Sequence, residues 1–397
     1  MNILFILHGN CIPTVGGIER VTDKLVNNFT SIYGHNCFLI YQDNSAGSDC
    51  PTPFKKTYFL KTINCLDLRR ILSENKIDII INQEEHYISA ILSKSISDAG
   101  LNCKTIYCYH NLPLGNEKAV ASYKALFSRI LRDHKFSDLI KLCLYPIYRY
   151  KKLDSAKTLL NKACLLSDKI VLLSDSFKQQ WLKASKIRRG SGLENKILAI
   201  PNPVSFNHSN IDLKLKEKRV LIVARLRDSQ KKISTALKIW KEIEKDNSLD
   251  KWQLDIVGDG QDKTMYEDYT AKHLKRVTFY GRRDPKPFYM RSSIFMMTSD
   301  FEGWGMTVGE ATVYGCVPVA FDTYSSLHDI LTDGYNGCIV PPPPTKNLTE
   351  YVTRLKTVMT DAENRNKMAQ NAINSSKRFS IEAIGSMWNN LFQELVN

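Results

Sequence analysis

Residues Ser299–Phe321 read SDFEGWGMTVGEATVYGCVPVAF. Glu302 and Glu310 bracket seven residues that include Gly303, Gly305 and Gly309, and a helix-compatible run then leads into the apolar CVPVAF. The pattern predicts a strand, a glycine-relieved turn, a helix N-terminus and a second strand. Such a turn leaves backbone N–H groups without intrahelical acceptors, with the positive end of the helix dipole behind them, which suits a phosphate or diphosphate. Carboxylates repel that charge, so the two glutamates are better placed to accept hydrogen bonds from hydroxyls. A nucleotide-sugar offers a ribose on one side of its diphosphate and a hexose on the other. An ordinary helix start with an acidic first turn would give the same letters, so the surrounding chain must arbitrate.

Upstream, RVLIVARL, WQLDIVGDG, RVTFYGR and SIFMMTS read as strands, and NGCIVPP follows as another. Helices are expected between them at 232–246, 260–274, 284–291, 305–315 and 325–332. The first half has the same grammar. Asn2 to Leu7, NCFLIYQ, TYFL, IDIIIN, KTIYCYH, KIVLLS and ILAIP are short apolar runs alternating with polar helical segments, the first helix starting near Ile18. Parallel sheets covered on both faces give this pattern. The prolines of IPNPV, Ile200 to Val204, interrupt it and predict a connection near residues 202–218. The expected organisation is two doubly wound α/β domains, 1–202 and 203–377, with a helical tail whose last segment, 378–397, packs back on the first. Ligands bind off the carboxyl ends of strands in such sheets.

The 397 residues fit two domains, and either half can bury a full core. Hydrophobic content of 43% is ordinary, and no apolar run approaches the roughly 20 residues needed to cross a bilayer. MNILFIL lacks a basic leader or a small-residue cleavage site and reads as a first strand, so a cytoplasmic location is expected. Ten cysteines are scattered without a C-x-x-C pair, which favours reduced structural thiols over metal clusters or disulfides. The net charge of +14 asks for an anionic partner: nucleic acid, a membrane surface or a charged substrate.

Together, E-G-W-G-M-T-V-G-E, the ARL of Ala224 to Leu226 followed by QKK, VGDG at Val257 to Gly260, GGIER at Gly16 to Arg20 and the IPNPV hinge resemble the retaining, nucleotide-sugar-dependent glycosyltransferases of the GT-B fold, family four. The resemblance covers nearly the whole chain. It is specific from about Arg219 to Pro341 and looser in the first half. It implies an α/β fold of two facing Rossmann-like domains, acceptor-binding and donor-binding.

Arg225 at the end of VLIVA, with Lys231 and Lys232 six and seven residues later, supplies cations for a diphosphate leaving group. The resemblance implies that Arg225 and Lys231 grip it, Lys232 being the near alternative. It further implies that Glu310 binds ribose, that Glu302 lies on the sugar side, and that the N–H groups of Met306 and Thr307, beyond Gly305, face phosphate. Gly16 and Gly17 at the first strand–helix turn permit close backbone approach, though they do not form G-x-G-x-x-G. In the family this loop borders donor and acceptor. His110, at the end of KTIYCY, resembles the family's active-site histidine and would position the transferred sugar. No D-x-D with strand context and no His/Cys cluster is present, so neither metal nor cofactor is expected. UDP- or GDP-sugar is a substrate.

Between Tyr123 and Lys157, cations at 124, 129, 132, 135, 141, 149, 151, 152 and 157 alternate with Phe, Leu, Ile and Tyr. This predicts either a peripheral contact with an anionic membrane or a solvated helix over the first domain's core. No nucleic-acid motif is recognisable. The expected activity is retaining hexosyl transfer from a UDP- or GDP-sugar to a saccharide, with a lipid-linked oligosaccharide of cell-surface polysaccharide synthesis as the expected acceptor. A nucleotide-sugar epimerase or hydrolase, or a non-catalytic nucleotide-binding membrane scaffold, are the alternatives.

Overall fold

The computed structural model describes residues 1–397 except 15, 46, 48–50, 85–86, 124–125, 128–129, 132–135, 188–189, 205–210 and 343–347. The chain divides into two compact units, Met1–Asn202 with Ile384–Asn397, and Pro203–Ala383.

The first unit holds a parallel sheet of β1 (Asn2–Gly9), β2 (Asn36–Asp43), β3 (Lys56–Phe59), β4 (Ile79–Asn82), β5 (Lys104–Tyr109), β6 (Lys169–Leu172) and β7 (Ile197–Ala199) in the order β3-β2-β1-β4-β5-β6-β7. The helices are α1 (Gly17–Ser31), α2 (Cys65–Glu74), α3 (Ile88–Asp98), α4 (Gly115–Val120), α5 (Phe136–Cys143), α6 (Tyr145–Leu166) and α7 (Ser176–Ser185). Runs such as IIIN in β4 are buried throughout, as a sheet covered on both faces requires. Strand order reverses between β1 and β4, so the loops after these strands diverge and leave room for a ligand there.

The second unit repeats the plan with β8 (Glu217–Val223), β9 (Gln253–Val257), β10 (Val277–Phe279), β11 (Ser292–Met297), β12 (Val317–Phe321) and β13 (Cys338–Val340), ordered β10-β9-β8-β11-β12-β13. Its helices are α8 (Asp228–Lys231), α9 (Ile233–Glu244), α10 (Lys263–His273), α11 (Lys286–Arg291), α12 (Met306–Val313), α13 (Leu327–Ile330), α14 (Thr349–Thr360) and α15 (Ala362–Ser376). The order reverses between β8 and β11, and these two strands lead into Arg225 and Glu302 respectively.

The last helix, α16 (Ile381–Val396), begins three residues beyond the expected start of the final segment, and from Ile384 it belongs to the first unit. It buries Ile384, Trp388, Leu391 and Phe392, with Phe392 edge-on to Phe29 at 5.2 Å and Asn389 hydrogen-bonded to His35 at 3.0 Å. The described cysteines are free thiols. Burial pushes those of Cys37 and Cys108 up to about 12, which keeps them protonated and unreactive.

Candidate functional site

In the second unit two loops meet at the strand reversal. The first runs from Ala224 through α8 to Lys232. It is seated on VGDG, where Gly258 has φ +146° and a Cβ would meet the Ala224 carbonyl oxygen at 1.8 Å, so only glycine lets the strands' ends close. Leu226 N–H donates to Asp259 O at 2.9 Å and Asp262 N–H to Leu226 O at 3.1 Å. The motif therefore sets the height of the Arg225 loop.

The second loop, Thr298 to Gly305, is laced to the first. Thr298 Oγ1 donates to the carbonyls of Lys231 and Lys232 at 3.1 and 3.0 Å, Asp300 N–H to Gln230 O at 2.8 Å, and Gln230 Nε2 to Phe301 O at 3.2 Å. Lys232 sits in the left-handed region at φ +51°, a conformation that this lacing holds. Its ammonium lies 3.0 Å from Asp300 Oδ2. Lys231 Nζ donates to Glu302 Oε1 at 2.5 Å, with side-chain exposures of 18% and 10%, so this pair is shielded from the solvent screening that weakens surface pairs. Arg225 is exposed and has no ion pair among the described residues.

Gly305 turns the chain into α12 at φ +83°, and a Cβ there would meet the Tyr324 hydroxyl at 2.6 Å. Burial, then the Glu302 charge, hold the Tyr324 phenol neutral. Met306 and Thr307 open α12, ahead of any intrahelical acceptor. Ala224, Lys231, Thr298, Ser299 and Thr307 line one small hollow. A cation and the positive end of a helix thus converge on the reversal point, an arrangement that suits a diphosphate.

Glu310, on α12, is fully buried, and Tyr289 Oη donates to its Oε2 at 3.1 Å and to Thr307 O at 3.3 Å. Tyr289 stacks on Tyr314 at 5.9 Å. Burial, with the charges of Asp284 and Glu310, pushes the Tyr314 phenol up to about 12.

In the first unit, Gly16 is extended and precedes α1. A Cβ on it would meet Glu19 Oε2 at 2.2 Å, whereas Gly17 opens on free space. His110 follows β5. Its Nε2 donates to Gln83 Oε1 at 2.6 Å, and Gln83 Nε2 donates to Thr22 Oγ1 at 3.0 Å. Its Nδ1 is buried without a partner among the described residues, and burial lowers the imidazole pKa to about 4. Each unit therefore gathers its own subset of the expected residues: Arg225, Lys231, Lys232, Glu302, Gly305, Met306, Thr307 and Glu310 in the second, Gly16, Gly17 and His110 in the first. Sequence reading missed Gln83, Thr22, Tyr289 and Tyr324. For Gln83 a signal existed, since it follows the strand IIIN at the same carboxyl end as His110 follows its own strand.

Along α5 and α6, Leu139, Ile140, Leu144, Ile147 and Tyr150 are 45–70% exposed, as are Phe127 and Leu131 before them, so these side chains do not pack on the sheet. Lys151 and Lys152 are exposed beside them, while Lys141 is tied to Asp138 at 2.6 Å. Lys124, Arg129, Arg132 and Lys135 lie outside the described residues. Among the described residues no helix is long and apolar enough to cross a membrane, and no group of His, Cys, Asp or Glu could hold a metal ion.

The chain is 26% identical over 393 residues to an uncharacterized glycosyltransferase of Haemophilus influenzae, spanning 95% of this chain and 96% of that protein. It is 28% identical over 235 residues to the amylovoran biosynthesis glycosyltransferase AmsD of Erwinia amylovora, spanning 57% of this chain and 62% of AmsD. The Anabaena protein Alr3699/HepE, solved with UDP and glucose, superposes with a TM-score of 0.69 at 15% identity, over 99% of this chain and all of that one. The two parallel-sheet units have the fold of GT-B glycosyltransferases, and residues 204–375, most of the second unit, match the family of glycosyl transferases group 1.

Proposed function

We propose that the protein is a retaining glycosyltransferase that moves a hexose-type sugar from a UDP- or GDP-sugar to a saccharide acceptor. The observation that carries this reading is the convergence of Lys231 and the α12 N-terminus on one hollow, with Glu302 bonded to that lysine. A diphosphate leaving group gathers charge as the glycosidic bond breaks, and prepositioned cations and N–H groups stabilise that charge without reorganising. Arg225 and Lys231 supply the cations, Met306 and Thr307 the N–H groups, and Lys232 is held back by Asp300. Neither a metal nor a cofactor is required for this charge balance. Glu302 accepts hydrogen bonds from the sugar and Glu310 from the ribose. His110 orients the transferred sugar, and the Gly16–Gly17 turn borders donor and acceptor. A phosphate oxygen of the donor takes the acceptor's proton, so no protein nucleophile is called for. The match of residues 204–375 and the AmsD likeness support this reading and favour a role in polysaccharide synthesis. Screening UDP- and GDP-sugars for acceptor-dependent nucleoside diphosphate release tests it. Release with one donor class supports it, and no release with any donor overturns it.

The acceptor in this proposal is lipid-linked, and the protein works as a peripheral protein on the cytoplasmic membrane face. The exposed apolar side chains of α5 and α6, flanked by Lys151 and Lys152, favour a surface that offers both hydrocarbon and anionic headgroups.

A further inference from the structure

We infer that Gln83 is a positioning residue that fixes His110 as a neutral Nε2–H tautomer, leaving Nδ1 as a hydrogen-bond acceptor reserved for a hydroxyl of the substrate. The clause about the substrate rests on the glycosyltransferase reading; the tautomer does not. Gln83 is itself held at both ends of its amide. Its Nε2 donates to Thr22 Oγ1 of α1 at 3.0 Å, the nearer of that hydroxyl's two contacts with the amide, Oε1 lying 3.4 Å from it, and Oε1 faces His110 Nε2 at 2.6 Å. A carbonyl-type oxygen only accepts, so the proton must sit on Nε2, and the neutral ring then offers a lone pair on Nδ1. Among the described residues Nδ1 has no partner although it is buried, and a buried orphan acceptor is costly unless something fills it.

The surroundings keep the ring neutral. Gln83 and His110 line a small cavity of the first unit whose other described residues are apolar, Phe5 and Trp388 among them, except for Asn202 and Cys108; Cys108 is the one other titratable group among these described residues and is itself protonated. Glu84, next in chain to Gln83, is turned to His8 at 2.8 Å, and Glu19 on α1 lies against Gly16. With no anion against it among the described residues, the imidazole stays uncharged at neutral pH. His110 thus receives a proton donor, and it does not serve as a general acid.

The experiment combines ¹⁵N-histidine spectra of the full chain with pH–rate profiles, the His110 signal being assigned by its loss in His110→Asn. The expected spectrum has a pyrrole-type Nε2 and a pyridine-type Nδ1 throughout pH 5–8. Gln83→Glu should place a carboxylate on Nε2–H, raise the ring's pKa, and create a limb on which turnover falls as pH drops, because the imidazolium has lost its acceptor. Gln83→Leu should lower turnover about five-fold, the size of one hydrogen bond, without that limb. An Nδ1–H tautomer in the wild-type protein, or a Gln83→Glu profile and spectrum identical to wild type, overturns the inference. Wild-type turnover in His110→Asn overturns the substrate contact, and if Arg225→Ala and Lys231→Ala remain impaired, the failure belongs to this inference and not to the glycosyltransferase reading.

Discussion

Lys231 Nζ lies 2.5 Å from Glu302 Oε1, so the cation proposed for the diphosphate and the carboxylate proposed for the sugar are bonded to each other. Donor binding must therefore exchange partners: the diphosphate takes a share of Lys231, and Glu302 turns part of its hydrogen-bonding capacity to sugar hydroxyls. Lys231→Ala should weaken UDP or GDP binding and cost about 2–4 kcal/mol of transition-state stabilisation, the size of one lost preorganised donor, and Arg225→Ala should cost a similar amount. Glu302→Ala should bind the free nucleoside diphosphate at least as tightly as wild type while transfer falls. Calorimetric titration beside turnover checks both halves, and equal losses of nucleotide affinity in the lysine and glutamate variants would sink the exchange.

Gly305 carries the turn into α12 at φ +83° with the Tyr324 hydroxyl 2.6 Å from where a Cβ would stand. Gly305→Ala should destabilise the second unit by about 1–3 kcal/mol and displace the helix N-terminus, lowering nucleotide affinity as well. Urea unfolding and nucleotide titration measure the two effects. A variant with unchanged values in both would show that the turn tolerates a side chain.

Burial holds His110 at about 4 in the folded protein, whereas an unfolded histidine titrates near 6.5. Between these values the unfolded chain binds more protons, so this residue's contribution is intact above about pH 6.5 and is lost progressively as pH falls toward 4. The unfolding midpoint should decline across that window, and His110→Gln should flatten the decline. Parallel pH dependences in the two proteins would assign the acid sensitivity elsewhere.

The exposed apolar face of α5 and α6 should bind anionic vesicles and ignore neutral ones, with release at roughly 0.5 M salt, where the Debye length shrinks to about 4 Å. Lys151→Glu with Lys152→Glu should weaken co-sedimentation and leave turnover of a soluble acceptor unchanged. Equal binding to neutral and anionic vesicles, or none to either, returns these helices to an ordinary solvated surface.

Much of the fold is legible in the sequence because strand–turn–helix grammar is local. EGWGMTVGE announces its turn by Gly305 and its helix by the run that follows, and IIIN announces a strand buried on both faces. The site is only half legible. Glycines and charges at strand ends are visible, but Lys231 meets Glu302 across 71 residues of chain, His110 meets Gln83 across 27 and Tyr289 meets Glu310 across 21. No periodicity encodes such pairs. Periodicity likewise fails at Leu139, Ile147 and Tyr150, since helical spacing says that a face is apolar and not what covers it.

Acceptor-dependent release of the nucleoside diphosphate, followed in purified protein with and without EDTA, tests sugar transfer most directly. The expected result is release from a UDP- or GDP-sugar only when the saccharide acceptor is present, undiminished by chelation, strongly reduced in Lys231→Ala, with the product retaining the donor's anomeric configuration. Release at the same rate without acceptor, or tight nucleotide binding with no release under any condition, would contradict it.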